Sequence, residues 1–217
     1  MKHFHFFLVI AIFILTISSV FLPGSAALAE TKNQFTIFVP IIQGTGSHSS
    51  DLPTLENFSA SLKNNDKDTI VGVYVENVLA LNVVQQPQSN SEYVSLLPNT
   101  ATQYDLARQL GVIGFMAHNN LAGKNFFNLA KDNVVYVIYG DGSTRKYKVV
   151  QLDQYQALSP SDTTSTFKNM NSGEVLSASE IFMRYYFGSD QVTFQTCIAQ
   201  GEISSWGRLF VTAIPLP

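Results

Sequence analysis

The sequence of 217 residues is poor in cysteine, histidine and charge: it has one Cys and four His, and 13% of its residues are charged. A single cysteine excludes an internal disulfide, a Cys-rich zinc site and an iron–sulfur cluster. An average soluble domain has about 25% charged residues, and this chain is 46% hydrophobic, so it is neither disordered nor a polyelectrolyte. The sequence shows no set of metal ligands, and we expect no cofactor.

An excess of positive charge is also lacking. The chain has 13 Lys and Arg against 16 Asp and Glu, a net charge of −3, and no basic run interrupts it. We therefore expect no nucleic-acid partner and no recruitment to an anionic membrane by bulk charge. The length allows one domain that is large enough to bury its own core.

The first 29 residues have the pattern of an export signal. Lys2 precedes an almost unbroken apolar run over residues 6–22, and residues 27–29 have the small-x-small sequence of a cleavage site. We predict a secretory signal peptide cleaved after Ala29. The alternative is an uncleaved membrane anchor, because the apolar run is near the lower limit for crossing about 30 Å of hydrocarbon. Both readings predict an extracytoplasmic protein, either secreted or attached to the membrane at the cell surface.

Residues 30–68 are predicted to be a linker or loosely attached extension. Residues 44–50 have turn and linker composition, and residues 63–68 form a second polar stretch without periodicity. A short helix over residues 55–62 is the one regular element expected there besides a strand over residues 33–42.

Residues 69–217 are predicted to form a mainly β domain. Short runs rich in β-branched and aromatic residues have the composition of strands, and they cover residues 70–75, 78–84, 112–117, 134–139, 146–158, 191–197 and 208–214. Two or three short helices accompany them. Seven or eight strands in a domain of this size favour a closed or nearly closed barrel.

Local signals mark the helices and turns of this domain. A helix over residues 104–110 is predicted to begin at a cap formed by Thr100 or Thr102. The sequence Ser-Ala-Ser-Glu at residues 177–180 is a capping box that opens a further helix. The Gly-Asp-Gly sequence at residues 140–142 predicts a hairpin turn, because glycine adopts the positive φ that tight turns require.

The single cysteine is the first candidate for chemistry. In a strand over residues 191–197, Thr193, Gln195 and Cys197 share one face, and Val192, Phe194 and Thr196 share the other. Most free cysteines are small buried hydrophobes, and that interpretation remains open here. An unpaired thiol in an exported chain is nevertheless a candidate reactive group.

A nucleophilic thiolate needs a partner that holds its proton. His118 and His48 are the histidines that remain outside the predicted signal peptide. His48 lies in the Gly- and Ser-rich linker, whereas His118 ends an apolar strand, so His118 is the better general acid or base. A strand-end histidine that only hydrogen-bonds a loop is the alternative.

Acyl transfer also needs a donor for the developing oxyanion. Arg208 begins the strand that follows Cys197, so an antiparallel hairpin over residues 191–214 brings the two residues to the same end of adjacent strands. Apolar neighbours, among them Trp206 and Phe210, argue against a simple surface charge.

The surroundings of these three residues resemble the sortase family of cysteine transpeptidases. Residues 193–197, the sequence TFQTC, are similar to the TLxTC signature of that family, with Phe194 in place of Leu. Residues 117–119 resemble its strand-end GHN or GHR site, and Arg208 has the position of the family's arginine at the start of the next strand. The resemblance covers roughly residues 70–215.

Some segments depart from the family pattern. The stretch between Leu158 and Gln191 is long and contains a helix, as in class B sortases, whose insertions line the substrate groove. Ala117 stands where the family usually has Gly before the histidine. Residues 75–78 replace the family's proline-rich entry strand, which leaves the recognised peptide open.

The resemblance implies a sortase-like β-barrel and a definite reaction. Cys197 attacks a carbonyl of a sorting peptide of LPxTG type, Arg208 hydrogen-bonds the oxyanion, and His118 protonates the departing amine. The resulting thioester is then resolved by an acceptor amine. Thr193, Gln195 and Asn119 are the residues expected to bind the substrate.

Three alternatives are weighed against transpeptidation. Water could resolve the thioester, which would make the protein a hydrolytic endopeptidase. An exported barrel could also bind peptide or wall polymer without turnover. A papain-like peptidase fits less well, because its cysteine precedes its histidine in the chain, whereas here His118 comes first.

One segment of the chain itself resembles a sorting motif. The sequence LPNTA at residues 97–101 lacks a trailing hydrophobic segment and a basic tail. We therefore expect it to end a loop and not to be a site of self-cleavage.

Overall fold

The computed structural model describes residues 52–162, 164–188 and 190–217. The predicted signal peptide, most of the predicted linker and His48 lie outside these residues. In the described part of the chain, no helix is both long and apolar enough to span a membrane. The regular elements comprise three α-helices, α1 (Leu55–Ser61), α2 (Asp105–Gln109) and α3 (Ala178–Tyr186), a 3₁₀ helix (Ala122–Asn128), and the strands β1 (Ile70–Val75), β2 (Leu79–Gln85), β3 (Thr100–Gln103), β4 (Ile113–Met116), β5 (Val134–Tyr139), β6 (Thr144–Ala157), β7 (Phe167–Asn169), β8 (Val175–Leu176), β9 (Val192–Gln200) and β10 (Ile203–Pro215).

The strands form a closed barrel of eight strands with a short extension. Their order is β10-β9-β4-β3-β2-β1-β5-β6, and β10 closes the barrel by pairing with β6. β7 and β8 continue from β6 outside the closed ring. This arrangement confirms the mainly β barrel with a few short helices that the sequence predicts.

Alternation along the strands divides the apolar residues into two layers. One set fills the inside of the barrel, with Phe115, Val137, Phe194 and Val211 completely or almost completely buried. Because side chains in a strand point alternately to opposite faces, the intervening residues point outward. Closure leaves the barrel itself without free sheet edges.

α3 packs a second apolar layer against the outside of the barrel. The helix begins at the capping box that the sequence predicts: the Ser177 hydroxyl accepts a hydrogen bond from the Glu180 backbone, and the Glu180 side chain accepts one from the Ser177 backbone. Its apolar face, with Ile181 and Phe182, joins Tyr104 and Phe210 in this layer. One outer face of the barrel is therefore covered.

The predicted helix near residue 55 is α1, and it packs on the barrel. Thr54 caps its first turn, and Phe58 contacts Tyr74 and Ile138. The backbone N–H groups of Asn64 and Asn65 both donate to the carbonyl of Gly140 at 2.9 Å. Residues 54–65 are therefore integrated into the domain and are not a loose extension.

The segment around residue 100 differs from the prediction. Thr100 and Thr102 lie in β3, which pairs in parallel with β2 and antiparallel with β4, and the N-cap of α2 is Tyr104, which makes no side-chain cap hydrogen bond. The Thr102 hydroxyl instead accepts a hydrogen bond from the Ser95 backbone at 2.9 Å. Thr100 and Ala101 are buried, so the bond between them is inaccessible to a protease site.

Candidate active site

The candidate nucleophile and oxyanion donor lie on the adjacent strands β9 and β10, and the candidate acid lies two residues after the end of β4. β9 lies between β4 and β10. In the antiparallel pair, Cys197 is directly opposite Arg208, which places their Cα atoms about 4.5–5.5 Å apart. In the parallel pair, Met116 is level with Gln195, and the Thr196 hydroxyl bonds the carbonyl of Ala117. His118 therefore follows directly after the last residue that is bonded to the cysteine strand.

The main chain after β4 holds His118 in place. Its carbonyl accepts hydrogen bonds from the backbone N–H groups of Leu121 and Gly123 at 3.0 and 2.9 Å. A Cβ atom at Gly123 would lie 2.3 Å from the Thr196 hydroxyl and 2.7 Å from the His118 carbonyl. The close approach of the 3₁₀ helix to both strands therefore depends on the missing side chain of this glycine.

The imidazole of His118 is half-buried, and its burial favours the neutral form. Burial lowers the pKa of His118 below its ordinary value of 6.5, and a hydrogen bond to the backbone of Val94 offsets part of this shift. Its Nε2 atom is buried and makes no hydrogen bond to any residue that the structure describes. A neutral imidazole with an available nitrogen can accept a proton from a thiol.

Arg208 is buried to an unusual degree for an arginine. Its exposed fraction is 3%, and its guanidinium group lies over the ring of Phe167, 5.9 Å from the centroid. Nη1 donates to the carbonyls of Ser205 and Gly207 at 3.0 and 2.8 Å. These two contacts fix the plane of a group that can donate hydrogen bonds to an oxyanion.

The cysteine strand is joined to the histidine strand by a side-chain hydrogen bond. The Thr196 hydroxyl, on the barrel face opposite Cys197, donates to the carbonyl of Ala117 at 2.8 Å. Cys197 is a free, partly exposed cysteine. Its thiol is therefore presented on the outer face while the residue before it packs inside.

An apolar cleft of about 480 Å³, counted with the open solvent at its mouth, adjoins this face. It is enclosed by the outer surface of β4, β9 and β10, by the facing side of α3 and by the β2–β3 loop, and its lining includes Met116, Gln195, Arg208, Phe210, Ile181 and Tyr186. Gln195 lies two residues before Cys197 on the same face. The cleft is therefore a candidate site for a substrate side chain close to the reacting carbonyl.

The three residues expected to bind substrate have different surroundings. Gln195 lines the cleft. Thr193 does not, because it is completely buried beneath α3 and its hydroxyl donates to the carbonyl of Tyr185 at 2.8 Å. The Asn119 side chain donates to the carbonyl of Ser204 at 3.1 Å, which joins the loop after β4 to the start of β10.

Several residues of the site have no strong sequence signal. Tyr186 donates a hydrogen bond to the Gln195 side-chain oxygen at 2.5 Å, and burial raises the pKa of Tyr186 well above its ordinary value. Val94 and Gly123 contact His118 through the backbone. The spacing of Tyr186 in α3 places it on the buried face, but no pattern in the sequence indicates which strand that face meets.

The described residues contain no group of three or more His, Cys, Asp or Glu side chains arranged to hold a metal ion.

Comparisons with known proteins return similarity in structure only. No protein-family model and no curated protein matches the chain. Among solved structures it is similar to sortase A of Listeria monocytogenes, at 16% identity and a TM-score of 0.42 over 69% of this chain and 89% of that one. It is similar to sortase C-1 of Actinomyces oris, at 22% identity and a TM-score of 0.40 over 74% of this chain and 81% of that one. A sortase D5 transpeptidase of Clostridium perfringens has 13% identity and a TM-score of 0.43, over 76% of this chain and 90% of that one. All three of these solved structures are sortases.

Proposed function

We propose that this protein is a cysteine transpeptidase of sortase type, which cleaves a sorting peptide of LPxTG type and transfers its acyl part to an amine. The observation that supports the proposal is the pairing of Cys197 directly opposite Arg208, together with the position of His118 two residues after the strand that pairs with the other side of β9. The apolar cleft beside Gln195 offers a place for the peptide.

The first half-reaction forms a thioester. Neutral His118 takes the proton of the Cys197 thiol, and the sulfur attacks the carbonyl carbon of the scissile bond. Arg208 hydrogen-bonds the oxyanion of the tetrahedral intermediate. The C–N bond then breaks, and the imidazolium of His118 gives its proton to the departing amine.

The second half-reaction reverses these roles. An acceptor amine attacks the thioester carbonyl and gives a proton to His118, and the Cys197 thiolate leaves as the new amide forms. The lowered pKa of His118 supports this use of the imidazole, because a base must be neutral before each attack. Water in place of the amine would give a carboxylic acid, the product of an endopeptidase.

The apolar segment at residues 6–22 supports a location outside the cytoplasm. We infer that the protein acts at the cell surface, as a secreted or membrane-attached enzyme, on a peptide or protein partner exposed there.

A trapping experiment tests the proposal. The purified protein is incubated with a mixture of LPxTG-like peptides, randomised at each position in turn, together with hydroxylamine as the acceptor. We expect a peptidyl hydroxamate that is absent with Cys197→Ala. The matched control is Thr212→Val on the adjacent strand, which leaves Cys197, His118 and Arg208 unchanged and should retain product formation.

The other outcomes identify the alternatives. A cleaved peptide that ends in a free acid, with no hydroxamate, indicates an endopeptidase. Tight binding without any cleavage indicates a peptide-binding barrel and contradicts the proposal, as does a product that survives Cys197→Ala.

A further inference from the structure

A second cavity lies at the end of the barrel opposite Cys197. It encloses about 1240 Å³ including its open mouth, and it is lined by residues at the starts of β1 and β4 and the ends of β2, β3 and β5. Ile113, the first residue of β4, lines this cavity. His118 lies five residues further along the chain, beyond the other end of β4. At about 3.3 Å per strand residue, roughly 16 Å separate the cavity from His118. It is therefore distinct from the candidate active site.

The inner wall of this cavity includes the side chain of Gln103. Ala101 and Gln103 are two residues apart in β3, so both side chains point into the barrel. Gln103 is 4% exposed. Within the described residues, its side-chain amide makes no hydrogen bond. Gln103 therefore presents two donors and an acceptor to whatever occupies the cavity.

The neighbouring glutamines are used differently. The Gln85 side chain donates to the carbonyl of Ile70 at 2.9 Å. The Gln86 side chain donates to two carbonyls of the β2–β3 loop and accepts from the Asp105 backbone. These two amides hold the cavity wall together. Gln88 also lines the cavity but is exposed to solvent, so Gln103 is the buried residue whose amide is open to the cavity.

The charges on the wall favour a neutral ligand. Arg145 pairs with Asp190 at 2.5 Å, and Arg108 pairs with Asp105 at 2.6 Å. Asp68 pairs with Lys67 at 2.7 Å. A charged ligand would have to compete with one of these pairs, whereas a neutral ligand leaves them intact.

The remaining wall near Gln103 is apolar. Ile70, Val112 and Ile113 all line the cavity and are buried. A ligand that suits this wall is uncharged, has some apolar surface, and offers an adjacent donor and acceptor to a carboxamide. An amide group has these properties, because two amides can pair through two N–H···O=C hydrogen bonds.

We propose that this end of the barrel binds a small neutral ligand that bears an amide group, and that the Gln103 carboxamide forms two hydrogen bonds with that amide. The same chemistry occurs in the acetamido group of an N-acetylated sugar and in the backbone of a short uncharged peptide. The proposal is independent of the reaction at Cys197.

Ligand-observed NMR and calorimetry on the full chain test it with three probes. N-acetylglucosamine and N-acetylalanine methylamide carry the amide group, and glucose does not. We expect saturable binding of at least one amide probe and no binding of glucose. The amide probe that binds more tightly shows whether the ligand is an N-acetylated sugar or a short peptide. Equal binding of glucose, or no binding of any probe, overturns the proposal.

Variants of Gln103 give the second readout. Gln103→Met keeps the length of the side chain and removes the amide, so we expect binding to weaken about tenfold, which corresponds to the loss of about 1.4 kcal/mol. Gln154→Met, at an exposed position of β6, is the matched control and should bind as the parent does. If Gln103→Met does not fold, Gln103→Asn, which shortens the side chain, serves in its place. Unchanged affinity in the folded variant overturns the proposal.

Discussion

The hydroxyl of Thr196 donates to the carbonyl of Ala117 at 2.8 Å, inside the barrel. One partner precedes Cys197 and the other precedes His118. Because side chains alternate along a strand, this buried bond lies behind the face on which the thiol and the imidazole are presented. It fixes the relative position of the two strands where the proposed chemistry requires it.

Thr196→Val tests this relationship. The substitution keeps the shape of the side chain but leaves the Ala117 carbonyl without its hydroxyl donor, and a buried group left unpaired costs about 1–3 kcal/mol. We expect a loss of this size in the free energy of unfolding, measured with urea, and slower hydroxamate formation. Thr212→Val is the control, since that hydroxyl makes no hydrogen bond with the described residues. Equal stability of the two variants would contradict the assigned role.

The buried imidazole predicts a pH dependence of stability. Burial lowers the pKa of His118 in the folded chain below 6.5. At pH values between this lowered pKa and about 6.5, the pKa in the unfolded chain, the unfolded chain therefore holds more protons than the folded chain. The free energy of unfolding therefore rises with pH through this window. The contribution is complete above about 6.5 and is lost as pH falls through the folded pKa.

Urea unfolding between pH 4.5 and 7.5 measures this effect in the parent and in His118→Gln, which does not titrate. We expect the difference between the two free energies to fall below about pH 6.5. Parallel curves over the whole range would show that the histidine is not desolvated by folding.

Tyr186 is predicted to orient the amide of Gln195. A buried tyrosine with a raised pKa remains a donor, and its bond to the Gln195 oxygen turns the amide nitrogen away from the helix. Tyr186→Phe keeps the ring contact with Tyr104 and removes only the hydroxyl. We expect KM for the peptide to rise about fivefold, as for the loss of about 1 kcal/mol, with little change in kcat.

Tyr185→Phe is the matched control on the same helix. Its hydroxyl bonds Asp153 and Tyr155 and makes no contact with Gln195, so KM should stay at the parent value although stability falls. A KM that rises equally in both variants would indicate a general effect of α3 and not an oriented amide.

Gly123 is predicted to set the distance between the 3₁₀ helix and His118. A methyl group there would overlap the carbonyls of Ala117 and His118, and overpacking of this kind costs about 1–3 kcal/mol. We expect Gly123→Ala to lower both stability and the rate of thioester formation. Lys124→Ala, exposed on the same turn, should change neither. An unchanged rate in Gly123→Ala would mean that His118 does not depend on this contact.

Local signals in the sequence predict much of this fold. The strands β1 and β5 have the predicted bounds, and the capping box at Ser177 opens α3. The hairpin of β9 and β10 places Cys197 beside Arg208 because antiparallel neighbours in sequence pair in space. These features depend on residues that lie close together in the chain.

The features that the sequence does not predict depend on distant partners. β3 is only four residues long and mostly polar, and it is a strand because it pairs with β2 and β4. Its two threonines therefore pair with residues of those strands and do not cap a helix. Alternation correctly places Thr193 on the face of Cys197, but it does not show that α3 covers that position. The same limit applies to Tyr186 and its bond to Gln195.

The most direct test of the proposed function is the mass of the protein after brief incubation with a cleaved peptide, quenched in acid. The account predicts a gain equal to the acyl part of the peptide, located on the fragment that contains Cys197, absent in Cys197→Ala and removed by hydroxylamine. Cleavage of the peptide with no adduct on Cys197, or with an adduct on another residue, would contradict it.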